Sequence, residues 1–194
     1  MHGLILKEFK DFIDDTDHTP PWETVAAEAE VEGRDYDTDS NYPDEEVLRV
    51  VHTTADLMDA SSRELIIEYG QYVTYSLVDI YAPLIEDDWG SMEFMMEVEE
   101  RFHPTVRDRS RATPPLLDFE RQGENEVTLT YKSPRKLCAL AIGVAQALED
   151  VYDETMDITE EQCMHDGAEH CLIRFTRVPE EMQGGRGLVR RVPS

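Results

Sequence analysis

A tyrosine, a serine and an arginine alternate in the segment Tyr131-Lys-Ser133-Pro-Arg135. In an extended chain alternate side chains point the same way, so this spacing places a phenol, a hydroxyl and a guanidinium on one face. All three donate hydrogen bonds, and an arginine can grip a carboxylate with two parallel bonds. The row therefore suits a ligand that carries carboxylates. Spacing alone favours a simpler interpretation, a strand end followed by a helix, because Ser133 before Pro134 is a good N-cap.

His103 closes a segment rich in methionine and phenylalanine. Met96 precedes it by seven residues, so the two side chains share one face of a helix. A neutral imidazole among apolar and soft side chains is the usual axial ligand of haem iron. A histidine near a helix C-terminus is also stabilised by the helix dipole, and position alone favours that structural role.

Three cysteines, Cys138, Cys163 and Cys171, make up the whole cysteine content of the chain. The last two enclose His165 and His170 in the run CMHDGAEHC. Thiolates and imidazoles select zinc among the common metals, and four such ligands close a structural site. The odd count argues against a disulfide framework. Because no Cys-x-x-Cys pair is present, buried cysteines that act as small hydrophobic residues are an equally good interpretation.

Acidic residues outnumber basic ones by 43 to 18, which gives a net charge of -25. Such a surface repels nucleic acid phosphates and anionic membranes. Dispersed acids with few lysines are typical of proteins from salt-loving organisms. No apolar run approaches the roughly 20 residues of a membrane span, and the N-terminus lacks the basic flank of a signal peptide. The sequence therefore predicts a cytoplasmic protein that binds neither nucleic acid nor membrane.

Hydrophobic periodicity predicts helices in the first part of the chain and strands in the second. Helices are expected over residues 2–14, 22–30, 44–58, 61–69, 70–81, 92–103 and 133–152. Strands are expected over residues 116–121, 126–132 and 169–177, after a stiff Ala112-Thr-Pro-Pro connector. This order predicts an α+β fold with an antiparallel sheet. We expect one domain over residues 1–178 and a disordered tail over residues 179–194.

Together, and in this order, these segments resemble the haem nitric-oxide/oxygen-binding (H-NOX) family. Tyr131, Ser133 and Arg135 match its Y-x-S-x-R motif, and the opening Met-His-Gly-Leu-Ile is similar to its M-x-G-x-I start. His103 stands where the family has its proximal haem ligand. Residues 112–115 resemble the segment whose proline presses on the haem, and CMHDGAEHC resembles the run of members with a zinc site. The resemblance covers residues 1 to about 177.

The resemblance implies haem b, bound between a helical N-terminal subdomain and a C-terminal subdomain with the sheet and a long helix. His103 would be the axial ligand of the iron, and Tyr131, Ser133 and Arg135 would hold the propionates. A further set of side chains is expected in the haem pocket, namely Phe9, Val73, Met96, Pro115 and Leu140.

Leu140 stands where oxygen-binding members carry a distal tyrosine. Bound dioxygen carries partial negative charge and needs a hydrogen-bond donor, which an apolar wall does not offer. The resemblance therefore implies a nitric oxide sensor without stable oxygen binding. Nitric oxide would weaken the iron–His103 bond, and the shape change would regulate a separate protein. A histidine kinase, a diguanylate cyclase or a chemotaxis-type transducer would be such a partner.

The chain departs from the family pattern at two places. Pro104 directly follows His103, where the family usually continues a helix, and a proline there can kink the chain. Members with a zinc site often have a histidine three residues before the middle cysteine, and this chain has Glu160. The fourth zinc ligand therefore stays open between Glu160, His165 and His170.

A haem-free regulatory module is the main alternative, because the C-terminal part also resembles the small vinyl-reductase-type ligand-binding domain. Such a module would bind a small ligand or zinc. It explains the cysteines and the final strand, but neither His103 nor the Y-x-S-x-R row. We expect no enzymatic activity, since the chain has no nucleophile elbow, no P-loop and no Gly-rich dinucleotide turn.

Overall fold

The computed structural model describes residues 1–104, 107, 113–179 and 189–191. Its α-helices are α1 (Gly3–Asp15), α2 (Trp22–Glu28), α3 (Asp44–Leu57), α4 (Ser62–Tyr81), α5 (Ser91–Glu97) and α6 (Cys138–Tyr152). A π-helical turn, Val98–Phe102, follows α5 directly, and short 3₁₀ turns cover Ala82–Leu84 and Met164–Asp166. The strands are β1 (Leu116–Gly123), β2 (Glu126–Lys132), β3 (Met156–Gln162), β4 (Cys171–Arg177) and β5 (Val189–Arg191).

The strands form one sheet in the order β1-β2-β4-β3-β5. The first four pair antiparallel, and β5 pairs parallel with β3 at the edge. Tyr131 on β2 lies opposite Cys171 on β4, so the row and the cysteine segment are neighbours in the sheet. Helices come first and the sheet with its long helix follows, which confirms the predicted α+β fold. No helix within the described ranges is long and apolar enough to cross a membrane.

Local sequence explains why the helices begin where they do. Ser61 caps α4 by accepting from the backbone N–H of Glu64, whose carboxylate accepts from the backbone of Ser61 in return. Three acids in the first turn of α3, Asp44, Glu45 and Glu46, complement the positive end of the helix dipole.

Four sequence-based expectations differ from the structure. Helix α4 runs unbroken through Gly70. Helix α6 begins at Cys138, because Ser133 accepts a bond from the backbone of Arg135 in a turn instead of capping the helix. Strand β3 was not expected, since its sequence MDITEEQ is rich in acids. In the tail, residues 180–188 and 192–194 lie outside the described residues, whereas the backbone at 189–191 pairs as a strand rather than being disordered.

Two helices, α4 and α6, join two hydrophobic cores. The first core lies among α1 to α4, and the second lies between α5, α6 and the sheet. Helix α6 contributes Ala139 to the first core and Ile142 to the second, and Ile67 of α4 packs against both. The relative position of the two halves is therefore set where these helices cross.

Two glycines allow the backbones of α4 and α6 to touch. A Cβ built on Gly143 would lie 2.1 Å from the carbonyl oxygen of Ile67 and 2.9 Å from Cα of Gly70. A Cβ on Gly70 would lie 2.7 Å from the carbonyl oxygen of Leu140. All three distances are to backbone atoms, which cannot rotate away, so any side chain forces the helices apart.

We predict that Gly143→Ala destabilises the protein by about 1–3 kcal/mol, the usual cost of overpacking a tight interior. Chemical denaturation followed by circular dichroism measures the change in the free energy of unfolding. Gly123→Ala is the matched control, since a Cβ there meets nothing within 4 Å. Equal stability of the two variants would contradict the proposed role of the crossing.

Candidate functional site

A cavity with mainly apolar walls lies where the two halves of the molecule meet. Its walls come from α1, α4, the α5–π-turn segment, the connector before β1, the sheet and α6. The residues that line it include Leu4, Ile5, Leu77, Tyr81, Met95, Val98, Phe102, His103, Thr113, Pro114, Pro115, Leu117, Phe119, Tyr131, Arg135, Leu140, Ala141 and Val144. Its polar side chains include His2, Tyr81, His103, Thr113, Tyr131 and Arg135.

The imidazole of His103 is held by a carboxylate on its own helical turn. Its Nδ1 lies 2.7 Å from Oε2 of Glu99, and its side chain is only 15% exposed. A carboxylate only accepts, so Nδ1 donates and Nε2 carries the lone pair. Burial lowers the pKa of His103 against the opposing effect of Glu99, so the neutral ring is favoured. A neutral imidazole with one nitrogen anchored is arranged as a metal ligand.

The π-helical turn changes which side chains face the cavity. The backbone N–H of His103 bonds to the carbonyl of Val98, five residues back, where an α-helix would use the fourth. His103 and Pro104 are both helical, and the residues directly after them, 105 and 106, lie outside the described residues. The wider turn breaks the seven-residue spacing, so Met95 and Val98 line the cavity with His103. Met96 is partly buried against the sheet core and is not among the described lining residues.

Arg135, another polar side chain of the cavity wall, is 7% exposed and joins the two halves. Its Nη1 donates to both oxygens of Asp44 at 3.0 and 3.3 Å, and its Nη2 donates to the carbonyl of Thr113 at 2.7 Å. Burial alone would raise the pKa of Asp44, but the bonds from Arg135 and from the Met1 amine outweigh burial and lower it. The guanidinium is therefore fixed at the cavity wall in a geometry that binds carboxylates.

Tyr131 and Ser133 shape the turn that carries Arg135. The backbone N–H of Leu137 donates to the Tyr131 hydroxyl at 3.1 Å, so the phenol keeps its own hydrogen for another acceptor. Burial raises the pKa of Tyr131 to about 12, which keeps that hydrogen in place at neutral pH. Ser133 is 2% exposed and accepts from the backbone of Arg135 at 3.3 Å. Tyr131 and Arg135 line the cavity, whereas Ser133 lies behind it.

The apolar wall differs in part from the sequence-based expectation. Pro115 and Leu140 line the cavity, but Phe9 and Val73 do not. Both are fully buried in the helical core, where Phe9 packs edge-on against Tyr69 at 5.0 Å. Other residues of the same helices take their place, namely Leu4 and Ile5 of α1, Leu77 of α4 and Val144 of α6. Periodicity identifies a buried face, but it does not separate the side of that face that meets the core from the side that meets the cavity.

The three cysteines come together behind the cavity at the start of α6. Their Sγ atoms all lie within 4.8 Å of one another, with Cys138–Cys163 and Cys163–Cys171 separations of 3.7 Å. A hydrogen bond with Cys138 lowers the pKa of Cys171, and the backbone N–H of Met164 adds to the effect. Sulfurs that share a tetrahedral zinc with about 2.3 Å bonds lie about 3.8 Å apart, so the observed spacing matches a metal site.

The three candidates for the fourth zinc ligand differ in burial and in the atoms that they contact. Glu160 is 1% exposed, and its Oε1 lies 3.9 Å from Sγ of Cys138 and 3.2 Å from Nη1 of Arg63. Its inward position follows from alternation along β3, where Met156, Ile158 and Glu160 are all buried. His165 is exposed, with its Nε2 2.8 Å from the carbonyl of Lys136, and His170 lies outside the cysteine cluster. All three candidates lie outside the group of sulfurs that are within 4.8 Å of one another, but Oε1 of Glu160 contacts one of them, Sγ of Cys138, at 3.9 Å.

These side chains fit a flat apolar group that carries a metal and carboxylates. His103 offers one neutral nitrogen to the metal, the surrounding wall is apolar, and Arg135 with Tyr131 offers donors to carboxylates. Haem b combines these three properties in one molecule. The residues present therefore fit haem.

Comparison with known proteins agrees with this chemistry. A model of the haem-NO-binding family matches residues 2–160. An H-NOX protein from Shewanella oneidensis, solved in its Fe(II)NO state, is 20% identical with a TM-score of 0.83, over 92% of this chain and all of that chain. An unliganded Fe(II) H-NOX protein from K. algicida is 21% identical with a TM-score of 0.80, over 93% of this chain and 98% of that chain. No curated protein sequence matches.

At these identities the solved structures establish the shared fold, while the family match extends over well over half of the residues. The chain therefore belongs to the haem-NO-binding family, whose H-NOX domains are haem-based gas sensors.

Proposed function

We propose that this protein is a nitric oxide sensor that binds haem b through His103 and regulates a separate signalling protein. The observation that supports it best is the largely buried His103 ring, whose Nδ1 is anchored to Glu99, so that Nε2 keeps the lone pair that a metal would need. Ferrous haem, when bound, would supply an iron that binds nitric oxide.

Different residues around the cavity would contact different parts of the haem. His103 ligates the iron, and Arg135 with Tyr131 donates to the propionates. Ser133 acts through the turn, since it accepts from the backbone of Arg135. Pro115, fixed between the connector and β1, supplies a rigid contact against the ring.

An apolar distal wall supports selectivity for nitric oxide. Ile5, Leu77, Leu140 and Val144 line this part of the cavity, and none of them has a side-chain hydrogen-bond donor. Bound dioxygen needs such a donor to stabilise its partial negative charge, whereas nitric oxide does not. The wall therefore disfavours a stable oxygen complex.

The output follows from the position of the cavity between the two halves. His103 would link the haem to the α5 segment, whereas the residues of α1 and α4 would contact it only through the cavity wall. A shift of one half against the other is then a change of surface that a partner protein can read. A histidine kinase, a diguanylate cyclase or a chemotaxis-type transducer is the class of partner we propose.

We predict that the reduced protein gives the absorption spectrum of a five-coordinate ferrous nitrosyl with nitric oxide and forms no stable complex in air. His103→Gly should be purified with less haem, because the iron–nitrogen bond is lost, and added imidazole should restore binding. His18→Gly is the control, since that side chain is 60% exposed. A wild-type protein without haem would overturn the proposal and favour a haem-free ligand-binding module.

We predict that Arg135→Ala weakens haem binding by about 1.5–3 kcal/mol, or roughly 10- to 150-fold, the usual contribution of a hydrogen bond to a charged group. The haem affinity of Arg135→Lys should lie between those of Arg135→Ala and the wild type, since lysine keeps the charge and loses the two-pronged geometry. Haem transfer to an apoglobin measures the affinity. Arg174→Ala makes the same charge change in an ion pair on the sheet and should leave the affinity unchanged. Equal affinity of Arg135→Ala and wild type would contradict the propionate role.

We further propose that Cys138, Cys163 and Cys171 bind zinc, with Glu160 as the fourth ligand. The sulfur spacing and the nearby Oε1 of Glu160 support it. Arg63 donates to the same carboxylate, so it would orient the oxygen toward the metal as an outer partner.

We predict that Cys163→Ser abolishes zinc binding and that Glu160→Gln weakens it, because an amide oxygen is a poorer ligand than a carboxylate. His165→Ala and His170→Ala serve as matched controls and should retain zinc. Elemental analysis after dialysis against a weak chelator measures the bound metal. A histidine variant that loses zinc while Glu160→Gln keeps it would overturn the assignment of the fourth ligand.

A further inference from the structure

His103 is one end of a chain of three side chains. Its Nδ1 bonds to Oε2 of Glu99 at 2.7 Å, and Oε1 of the same carboxylate accepts from Nη2 of Arg107. Glu99 is half-buried and Arg107 is exposed. The two oxygens of Glu99 therefore serve different partners, one neutral ring and one cation.

The two partners of Glu99 act on it in opposite directions. A carboxylate that accepts the Nδ1 hydrogen pushes electron density into the ring and makes Nε2 a stronger donor to a metal. A guanidinium on the other oxygen withdraws charge from the carboxylate and weakens that effect. The donor strength of His103 is thus set by the balance between Glu99 and Arg107.

Arg101, two residues along the chain from Glu99, bonds to other carboxylates. Arg101 bonds to Glu97 at 2.8 Å and to Glu86 at 2.7 Å, and its guanidinium lies over the ring of Trp89. Among the described residues, His103 and Arg107 are the partners that bond to the two oxygens of Glu99.

The segment that carries Glu99 and His103 is held rigidly in place. Phe102, which precedes the ligand, is 3% exposed and stacks on Tyr81 with ring centres 4.5 Å apart and planes 11° apart. Phe94 packs on its other side at 5.2 Å. Because Phe102 is packed between these rings, the backbone that carries His103 is positioned so that Nδ1 reaches the Glu99 carboxylate.

We infer that Glu99 and Arg107 are a tuning pair that sets the strength of the iron–His103 bond, and with it the ease with which nitric oxide releases that bond. Glu99 strengthens the bond, and Arg107 moderates it. Both are positioning residues, since each acts on the iron only through His103. The inference rests on the proposed haem-binding function and concerns the same site.

Resonance Raman spectroscopy of the reduced, unliganded protein measures the iron–histidine stretching frequency directly. Glu99→Gln keeps a hydrogen-bond acceptor and removes the charge, so the frequency should fall and the five-coordinate fraction of the nitrosyl should rise. Arg107→Gln removes the opposing cation, so the frequency should rise and the five-coordinate fraction should fall. Glu100→Gln makes the same charge change one residue away on an exposed side chain, and it should leave the frequency unchanged.

Opposite shifts from Glu99→Gln and Arg107→Gln support the inference, because a general disturbance of the helix would move both in one direction. An unchanged frequency in Glu99→Gln, or shifts of the same sign in both variants, overturns the tuning pair and leaves the haem function standing. A wild-type protein with no iron–histidine band overturns the proposed function, and this inference with it.

Discussion

The direct contact between the backbones of α4 and α6 is the constraint on which the rest of the molecule depends. Gly70 and Gly143 meet with no room for a Cβ on either, so the two hydrophobic cores are fixed at one crossing. Away from that crossing the halves diverge, and the cavity occupies the resulting gap. Its α1 and α4 walls belong to one core, and its sheet and α5 walls belong to the other. A ligand in the gap therefore touches both halves, and its contacts bias their relative position.

The cysteine cluster is positioned by elements that also form the cavity wall, namely the sheet and α6. Tyr131 on β2 lies opposite Cys171 on β4, and the turn that carries Arg135 leads directly into Cys138 at the start of α6. One strand pair and one helix end thus fix two sets of side chains. The first is Tyr131 and Arg135 at the cavity wall, and the second is the group of cysteines behind it. Any group that ties the sulfurs together also stiffens the turn that positions Arg135. In addition, Arg63 on α4 bonds to Glu160 on β3, so the cluster links the helical half to the sheet.

The sequence predicted best what depends on neighbouring residues. The alternation of Tyr131, Ser133 and Arg135 and the long apolar helices were readable, and the α+β order followed from them. The sequence-based expectations that differ from the structure are those that depend on tertiary contacts. Strand β3 is acidic on its outer face, and only pairing with β4 reveals that Glu160 points inward. Phe9 and Val73 lie on the expected helix faces but pack into the core, and the π-turn displaces Met96 by altering the period on which its placement relied.

The winding before His103 determines how that side chain is connected to the rest of the fold. Helix α5 is short, the π-turn follows it, and Pro104 lacks the N–H that an α-helix would need next. Within the described residues, this segment packs into the sheet core through Met92, Phe94, Met95 and Phe102. A force on His103 is therefore passed to that core through packed side chains, while α1 and α4 stay with the other core. Packed cores shift as units and do not deform continuously, so any displacement of one core against the other would have to be accommodated at the Gly70–Gly143 crossing, where the backbones of α4 and α6 touch.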